Sequence, residues 1–247
     1  MAHLRCDFRS NVMDMITSMT VILPESVPQS QIRVVYLLHG LADNCSGWSR
    51  YTSVERYARE HNVALVIPEV QRSFYADMDQ GIPYFTYIHE ELPKICRNFF
   101  GFSEEREKNY IMGLSMGGYG AMKCALNTPE RYAGVATFSA VADIEEFVKT
   151  LASNKKQFQA VFGQELEIPE DCNLVHLAGQ AEIAALPGIY MACGEQDALY
   201  AANTRLASLF QQRGADIRYE HWEGIHNWDF WDTAVCKAMN NLLKEKA

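Results

Sequence analysis

Residues 110–121 read Tyr-Ile-Met-Gly-Leu-Ser-Met-Gly-Gly-Tyr-Gly-Ala. An apolar strand pattern runs straight into a helix pattern of small residues, with one serine at the junction. Gly113 and Gly117, two before and two after that serine, fit a strand that turns into a helix within a single residue and leaves no room for bulk on either side. The pattern predicts Ser115 on a tight, strained turn, its hydroxyl lifted out at the head of a helix. Free backbone N–H groups and the helix dipole favour negative charge there. The competing reading is a close-packed glycine turn without chemistry. A phosphate-binding loop does not fit, because the Lys-Ser/Thr ending of that motif is missing.

The rest of the chain supplies a frame for such a turn. Short, continuous apolar runs occur at 33–39, 63–68, 109–114, 134–139 and 189–194, the pattern of strands buried on both faces of a parallel sheet. Residues 12–23 read as a strand or hairpin arm and 216–222 as a last strand. Helical patterns fill 52–61, 84–100, 117–126, 200–213 and 228–244, with Pro93 expected to kink or restart the second. Alternation of this kind predicts an α/β fold, an open and mostly parallel central sheet with helices on both faces. No repeat or linker divides residues 1–247, so one domain is expected. Residues 142–186 break the rhythm. They hold short helical patterns and no buried strand, and they read as a small helical cap insertion over the carboxyl ends of the strands, where such sheets bind ligands.

Composition excludes several classes. The 247 residues are 48% apolar and 21% charged, which offsets the ordering entropy and argues against disorder. No apolar run approaches the roughly 20 residues of a membrane span. The net charge of −9 disfavours a phosphate backbone as partner, so neither nucleic acid nor membrane is expected. Seven scattered cysteines with no C-x-x-C pair argue against a disulfide framework and a zinc site. The first residues lack a signal peptide's apolar core, and the chain reads as reduced and cytoplasmic unless a leader has been removed. No ligand cluster for a metal or an organic cofactor is visible, so none is expected.

A serine nucleophile needs a base, and the base needs an orienting carboxylate, in the chain order Ser, Asp or Glu, His for this architecture. Two histidines come late enough. His221 lies inside a strand pattern, and His226 lies in the loop 223–227 between the last strand and the last helix, from which a base reaches over the sheet edge. His226 is the choice. For the acid, Asp197 follows the strand at 189–194, with Glu195 as its rival and Asp143 and Asp171 as weaker candidates in the insertion. A helix cap is the bland reading of Asp197. One oxyanion donor is expected from the N–H of Met116, the other from Leu41 in the Leu37-Leu38-His39-Gly40-Leu41 segment after an early strand. His39 reads as a prop for that loop. Trp48, Tyr84 and Trp228, with Phe74 and Tyr87, are candidates for a substrate wall or for core. Phe147, Leu151, Phe158, Phe162 and Leu174 of the insertion are candidates for an apolar wall or for the insertion's own packing.

Taken together, Val21-Ile22-Leu23-Pro24, Leu37-Leu38-His39-Gly40, Glu90-Glu91-Leu92-Pro93, Gly113 to Gly120, Cys193-Gly194-Glu195-Gln196-Asp197 and Gly224 to Trp231 resemble the esterase D / tributyrin esterase family of α/β-hydrolases. The resemblance runs from about residue 10 to the end. It implies a serine carboxylesterase for short acyl esters, with relatives among S-formylglutathione hydrolases and feruloyl and acetyl esterases. It places the nucleophile on Ser115, the acid on Asp197, the base on His226 and the oxyanion donors on Leu41 and Met116. It also implies a small-molecule ester as partner, no cofactor, and a homo-oligomer, dimer or tetramer. Ile225-His226-Asn227 departs from the family's habit of Gly or Thr before the histidine and Glu after it. Three functions stand at this stage: carboxylesterase on short-chain or plant-cell-wall acyl esters, thioesterase of the S-formylglutathione kind, and a non-catalytic binding module on a hydrolase scaffold.

Overall fold

The computed structural model describes residues 1–25, 27–150 and 155–244. The chain opens with a hairpin of β1 (Ala2–Ser10) and β2 (Met15–Leu23). β3 (Arg33–Leu38) follows, then α1 (Gly47–Tyr51) and α2 (Val54–Glu60), then β4 (Val63–Pro68). After it come α3 (Tyr84–Thr86), a π turn (Tyr87–Glu91) and α4 (Leu92–Phe100). β5 (Asn109–Leu114) leads into α5 (Met116–Asn127), and β6 (Gly134–Phe138) closes that unit. Between β6 and the next strand lie α6 (Ile144–Thr150), α7 (Lys155–Phe162) and α8 (Leu174–Gln180). The chain ends with β7 (Gly188–Gly194), α9 (Tyr200–Gln212), β8 (Ile217–Trp222) and α10 (Trp228–Leu242).

The eight strands form one sheet in the order β1-β2-β4-β3-β5-β6-β7-β8. β1 and β2 run antiparallel to their neighbours, and the six from β4 to β8 are mutually parallel. This is the α/β-hydrolase fold. Two apolar layers flank the sheet. One centres on Tyr36, Phe74, Tyr119 and Phe158, the other on Trp48, Phe138, Trp231 and Met239. β3, β4, β5 and β6 are sandwiched between them, which is why their sequences are apolar without alternation.

Two local features, one of them a difference from the sequence reading, have physical causes. The first strand begins at Ala2, not near residue 12, and residues 2–10 pair along their whole length with residues 15–23. Leu4, Cys6 and Phe8 alternate with polar residues, the pattern of an edge strand with one wet face. In the segment 84–100, a π turn at Tyr87–Glu91 precedes the helix that carries Pro93 in its first turn. The helical run is unbroken from Tyr84 to Phe100, and the switch from π to α geometry just before Pro93 is the restart expected of a proline inside a helix. Glu91, at the end of the π turn, accepts hydrogen bonds from Asn11 N–H at 2.7 Å and from Ser10 Oγ, which pins the hairpin to the main body.

The described part of the segment between β6 and β7 is helical and contains no strand. Phe158 and Phe162 pack on Phe74, so its own packing joins the main core. Leu151 lies outside the described residues. All seven cysteines are free, and no described helix is long and apolar enough to cross a membrane.

Candidate active site

The elbow is built by exclusion. A Cβ on Gly113 would stand 2.3 Å from the Gly117 carbonyl oxygen, and one on Gly117 would stand 2.3 Å from that of Leu38. Both are impossible contacts, so only glycine lets β5, α5 and β3 meet this closely. Ser115 itself takes φ 51° and ψ −117°, a strained conformation for a residue with a Cβ. Its backbone is over-determined: Ser115 N–H donates to Phe138 O at 2.8 Å, and Ser115 O accepts from Tyr119 N–H at 3.0 Å and Val141 N–H at 3.3 Å. Strain is held there by bonds to two neighbouring elements, and the side chain is left partly open at the start of α5.

Ser115 Oγ lies 3.0 Å from His226 Nε2, and His226 Nδ1 lies 2.8 Å from Asp197 Oδ2. The three residues come from three places: the end of β5, the loop after β7, and the loop between β8 and α10. The loops are joined to each other, since Gln196 N–H donates to Gly224 O at 3.0 Å and Gln196 Oε1 accepts from Gly224 N–H at 2.7 Å. Asn227 caps α10 by accepting from Phe230 N–H at 3.1 Å, which fixes the residue after the histidine. On its other side the imidazole meets the Trp231 ring edge-on, 4.9 Å between centroids.

The Asp197 side chain is fully buried, whereas that of His226 is about one third exposed. Burial pushes the Asp197 carboxyl up. The hydrogen bond and charge of His226, with the Leu199 N–H, more than offset this and hold it below its usual value of 3.8. Asp197 is thus an ionised carboxylate with Oδ2 on the imidazole and Oδ1 on Leu199 N–H, 2.9 Å away. The helix-cap reading and the acid reading both describe it.

The loop after β3 forms the opposite wall. Val70 N–H donates to His39 Nε2 at 3.2 Å, so the ring proton sits on Nδ1 and is given to the Gly40 carbonyl at 2.8 Å. In a trans peptide the N–H points away from its carbonyl. The same bond that holds Gly40 O therefore turns Leu41 N–H outward, and Leu41 lines the cavity with Ser115. Met116 is the first residue of α5, where an N–H has no partner within the helix. Glu69 ties the loop down by accepting from Cys45 N–H at 3.1 Å.

The cavity over Ser115 measures about 400 Å³, and Phe147, Leu199 and Trp231 supply its apolar walls. Of the aromatic residues proposed for that role from sequence, Trp48 and Tyr84 require correction. Trp48 is fully buried, with its Nε1 donating to Leu38 O at 3.0 Å, and Tyr84 is 3% exposed in the other layer. Trp228 stands behind Trp231, 5.3 Å between centroids, and does not line the cavity. Trp48 and Tyr84 are aromatic residues drawn into packing by their area, whereas Trp228 is half-buried beside Asp43, outside the cavity lining. The rival candidates are also placed. His221 and Glu195 pair with each other at 2.9 Å, both more than 40% exposed, away from Ser115. Asp143 and Asp171 pair with Arg205 and Lys123.

Sequence reasoning missed five lining residues: Ala42, directly after Leu41, and Asp43, Ala198, Leu199 and Trp231. Position offers a signal for each. Asp43 lies four residues after His39, Ala198 and Leu199 directly after Asp197, and Trp231 one helical turn beyond Asn227. Burial pushes the Asp43 carboxyl up, while His39 and a Gly40 backbone hydrogen bond pull against it without cancelling the shift.

A nucleophile, base and buried acid in line beneath an apolar cavity, on this sheet, define a serine hydrolase of the α/β-hydrolase class. The family model "Putative esterase" matches residues 10–242, and the chain belongs to that family. It is a carboxylic ester hydrolase. It is similar to an acetyl esterase of Caldicellulosiruptor saccharolyticus, 30% identical with 99% of each chain covered. Among solved structures it is similar to the fluorophosphonate-binding serine hydrolase FphF of Staphylococcus aureus, with a TM-score of 0.91, 30% identity and 99% of each chain covered. It is likewise similar to the S-formylglutathione hydrolase FrmB of the same organism, with a TM-score of 0.88, 30% identity and 98% and 99% covered.

Proposed function

We propose that this carboxylesterase hydrolyses short-chain acyl esters, acetyl esters foremost, through Ser115, His226 and Asp197 and an acyl-enzyme intermediate. Ser115 Oγ attacks the ester carbonyl carbon while His226 Nε2 takes its proton. The new C–O bond gives a tetrahedral oxyanion, which Leu41 and Met116 N–H receive. As the intermediate collapses, the bond to the leaving alkoxide breaks and His226 returns the proton to it. Water then repeats the sequence on the acyl-enzyme, with His226 as base and Ser115 as leaving group. Asp197 keeps the imidazole in the Nδ1–H tautomer and stabilises the imidazolium.

The observation that carries this reading is the continuous chain of contacts, 3.0 Å from Ser115 Oγ to His226 and 2.8 Å on to a fully buried carboxylate. The acetyl esterase similarity and the modest, apolar cavity support a small acyl group. The test is hydrolysis of p-nitrophenyl acetate by the wild type and by Ser115→Ala. Turnover by the wild type, lowered roughly 10⁴–10⁶-fold in the variant, is expected. Equal rates in both would contradict it. A thioesterase reading has one specific support, the similarity to FrmB. A glutathione thioester assayed beside p-nitrophenyl acetate separates the two. The carboxylates of glutathione find no lysine or arginine among the residues lining the cavity.

A further inference from the structure

Asp43 is out of place in an esterase cavity. A Cβ built on Gly40 would lie 3.2 Å from Asp43 Oδ2 and 3.8 Å from Ser115 Cβ, so the carboxylate and the nucleophile stand within 4 Å of one common point. The carboxylate is half-buried, lines the cavity, and has no ion-pair partner among the described residues. The other carboxylate in the lining, Asp197, is buried beneath His226. The other titratable groups lie further back. His39 is fully buried with both ring nitrogens engaged, and Glu69 sits behind it, bound to Cys45 and Gln71 N–H.

A carboxylate with no cation beside it, this close to a developing oxyanion, opposes it. It also gives up hydration without gaining a cation. A substrate that brings positive charge to this wall removes both costs, and one that brings a carboxylate adds to them. The flank beside Asp43 suits such a group. A Cβ on Gly47 would lie 3.4 Å from both the Asp43 carboxylate and Trp228 Cζ2, so an indole edge adjoins the acid. Tyr51 stacks on Trp228 at 5.1 Å and is 51% exposed, with the Arg50 guanidinium already 5.3 Å over its ring. Carboxylate and aromatic surface side by side are the elements of cation recognition.

We propose that Asp43 is a specificity-determining residue, which makes this enzyme prefer acetyl esters of cationic alcohols and reject those of carboxylate-bearing alcohols. The inference rests on the esterase reading above. An acetyl group is small, so what reaches Asp43 belongs to the alcohol.

The test uses three acetyl esters that differ in the charge of the alcohol: acetylcholine, its neutral isostere 3,3-dimethylbutyl acetate, and 4-acetoxybutanoate. In the wild type kcat/KM falls in that order, by about five- to tenfold at each step, the size expected of one charge at this distance in a half-buried site. Asp43→Asn keeps the shape and an acceptor for Gly40 N–H, and contracts both ratios to within about twofold. Added salt contracts the wild-type ratios as well, which checks the charge effect without a variant. Ratios unchanged in Asp43→Asn, or a wild type that favours the carboxylate ester, would overturn the proposal. p-Nitrophenyl acetate and Ser115→Ala run alongside. Loss of the wild-type over Ser115→Ala difference on that ester would overturn the esterase reading itself, a result distinct from unchanged charge ratios.

Discussion

The molecule carries two histidine–carboxylate pairs drawn from the same two chain segments. His226 meets Asp197 at 2.8 Å, and His221 meets Glu195 at 2.9 Å. Distance alone does not separate them. Burial and the third partner do. The Asp197 side chain has no solvent exposure and its second oxygen is held by Leu199 N–H, whereas both members of the other pair are more than 40% exposed. Only His226 has its far nitrogen on a serine hydroxyl. Position relative to the strand end produces the difference. His221 projects from β8 itself, whereas His226 lies beyond the strand end, in a loop that the Gln196–Gly224 bonds fold over the site.

Substitutions sharpen this contrast, beginning with the largest effect. His226→Ala is expected to lower kcat by roughly 10⁴–10⁶-fold, and His221→Ala to leave it within about twofold, measured on p-nitrophenyl acetate. Asp197→Asn leaves the wrong tautomer on the imidazole and is expected to lower kcat by about 10⁴-fold, against less than about twofold for Glu195→Gln. A comparable loss in both acids would erase the distinction drawn here. His39→Ala unpairs Val70 N–H and removes one of the two partners of the Gly40 carbonyl, which keeps Asp43 N–H at 3.2 Å. A fall in kcat of about ten- to a hundredfold is expected, below the full cost of an oxyanion donor, because the loop keeps its tie to Glu69.

Smaller effects follow from protonation. The Asp197 carboxyl is held below its usual value, so its contribution to stability is present above pH 3.8 and fades as pH falls through the lower native value. Melting curves of wild type and Asp197→Asn are therefore expected to be separated at neutral pH and to converge in acid. Asp43 has the opposite sign. Its carboxyl is raised by burial, so the charged form costs stability once the pH rises above 3.8 and through the native value. Asp43→Asn is expected to melt slightly higher than wild type at pH 7 and to lose that advantage in acid.

Much of the site was legible in the sequence because the elbow is a steric statement. Gly113 and Gly117 are required by contacts of 2.3 Å, and a pattern made by exclusion survives in one sequence. The late histidine and acid were legible because loops at strand ends have few neighbours to choose among. The substrate wall was not. Trp48 and Tyr84 are aromatic residues near the motifs, and nothing in the sequence tells a buried ring from a lining one. Phe147, read as wall or packing, does both, touching Phe74 and Phe158 while facing the cavity. The hairpin arm at residues 2–10 was missed because a half-wet edge strand is marked only by the alternation of Leu4, Cys6 and Phe8.

The most direct test of the central claim is the site of covalent capture by an alkyl fluorophosphonate, mapped by peptide mass spectrometry after inactivation. One phosphonyl group on Ser115 is expected in the wild type and in His221→Ala, with labelling slowed by orders of magnitude in His226→Ala. A label on any other residue, or equal labelling rates in the two histidine variants, would contradict the assignment of Ser115 and His226 as nucleophile and base.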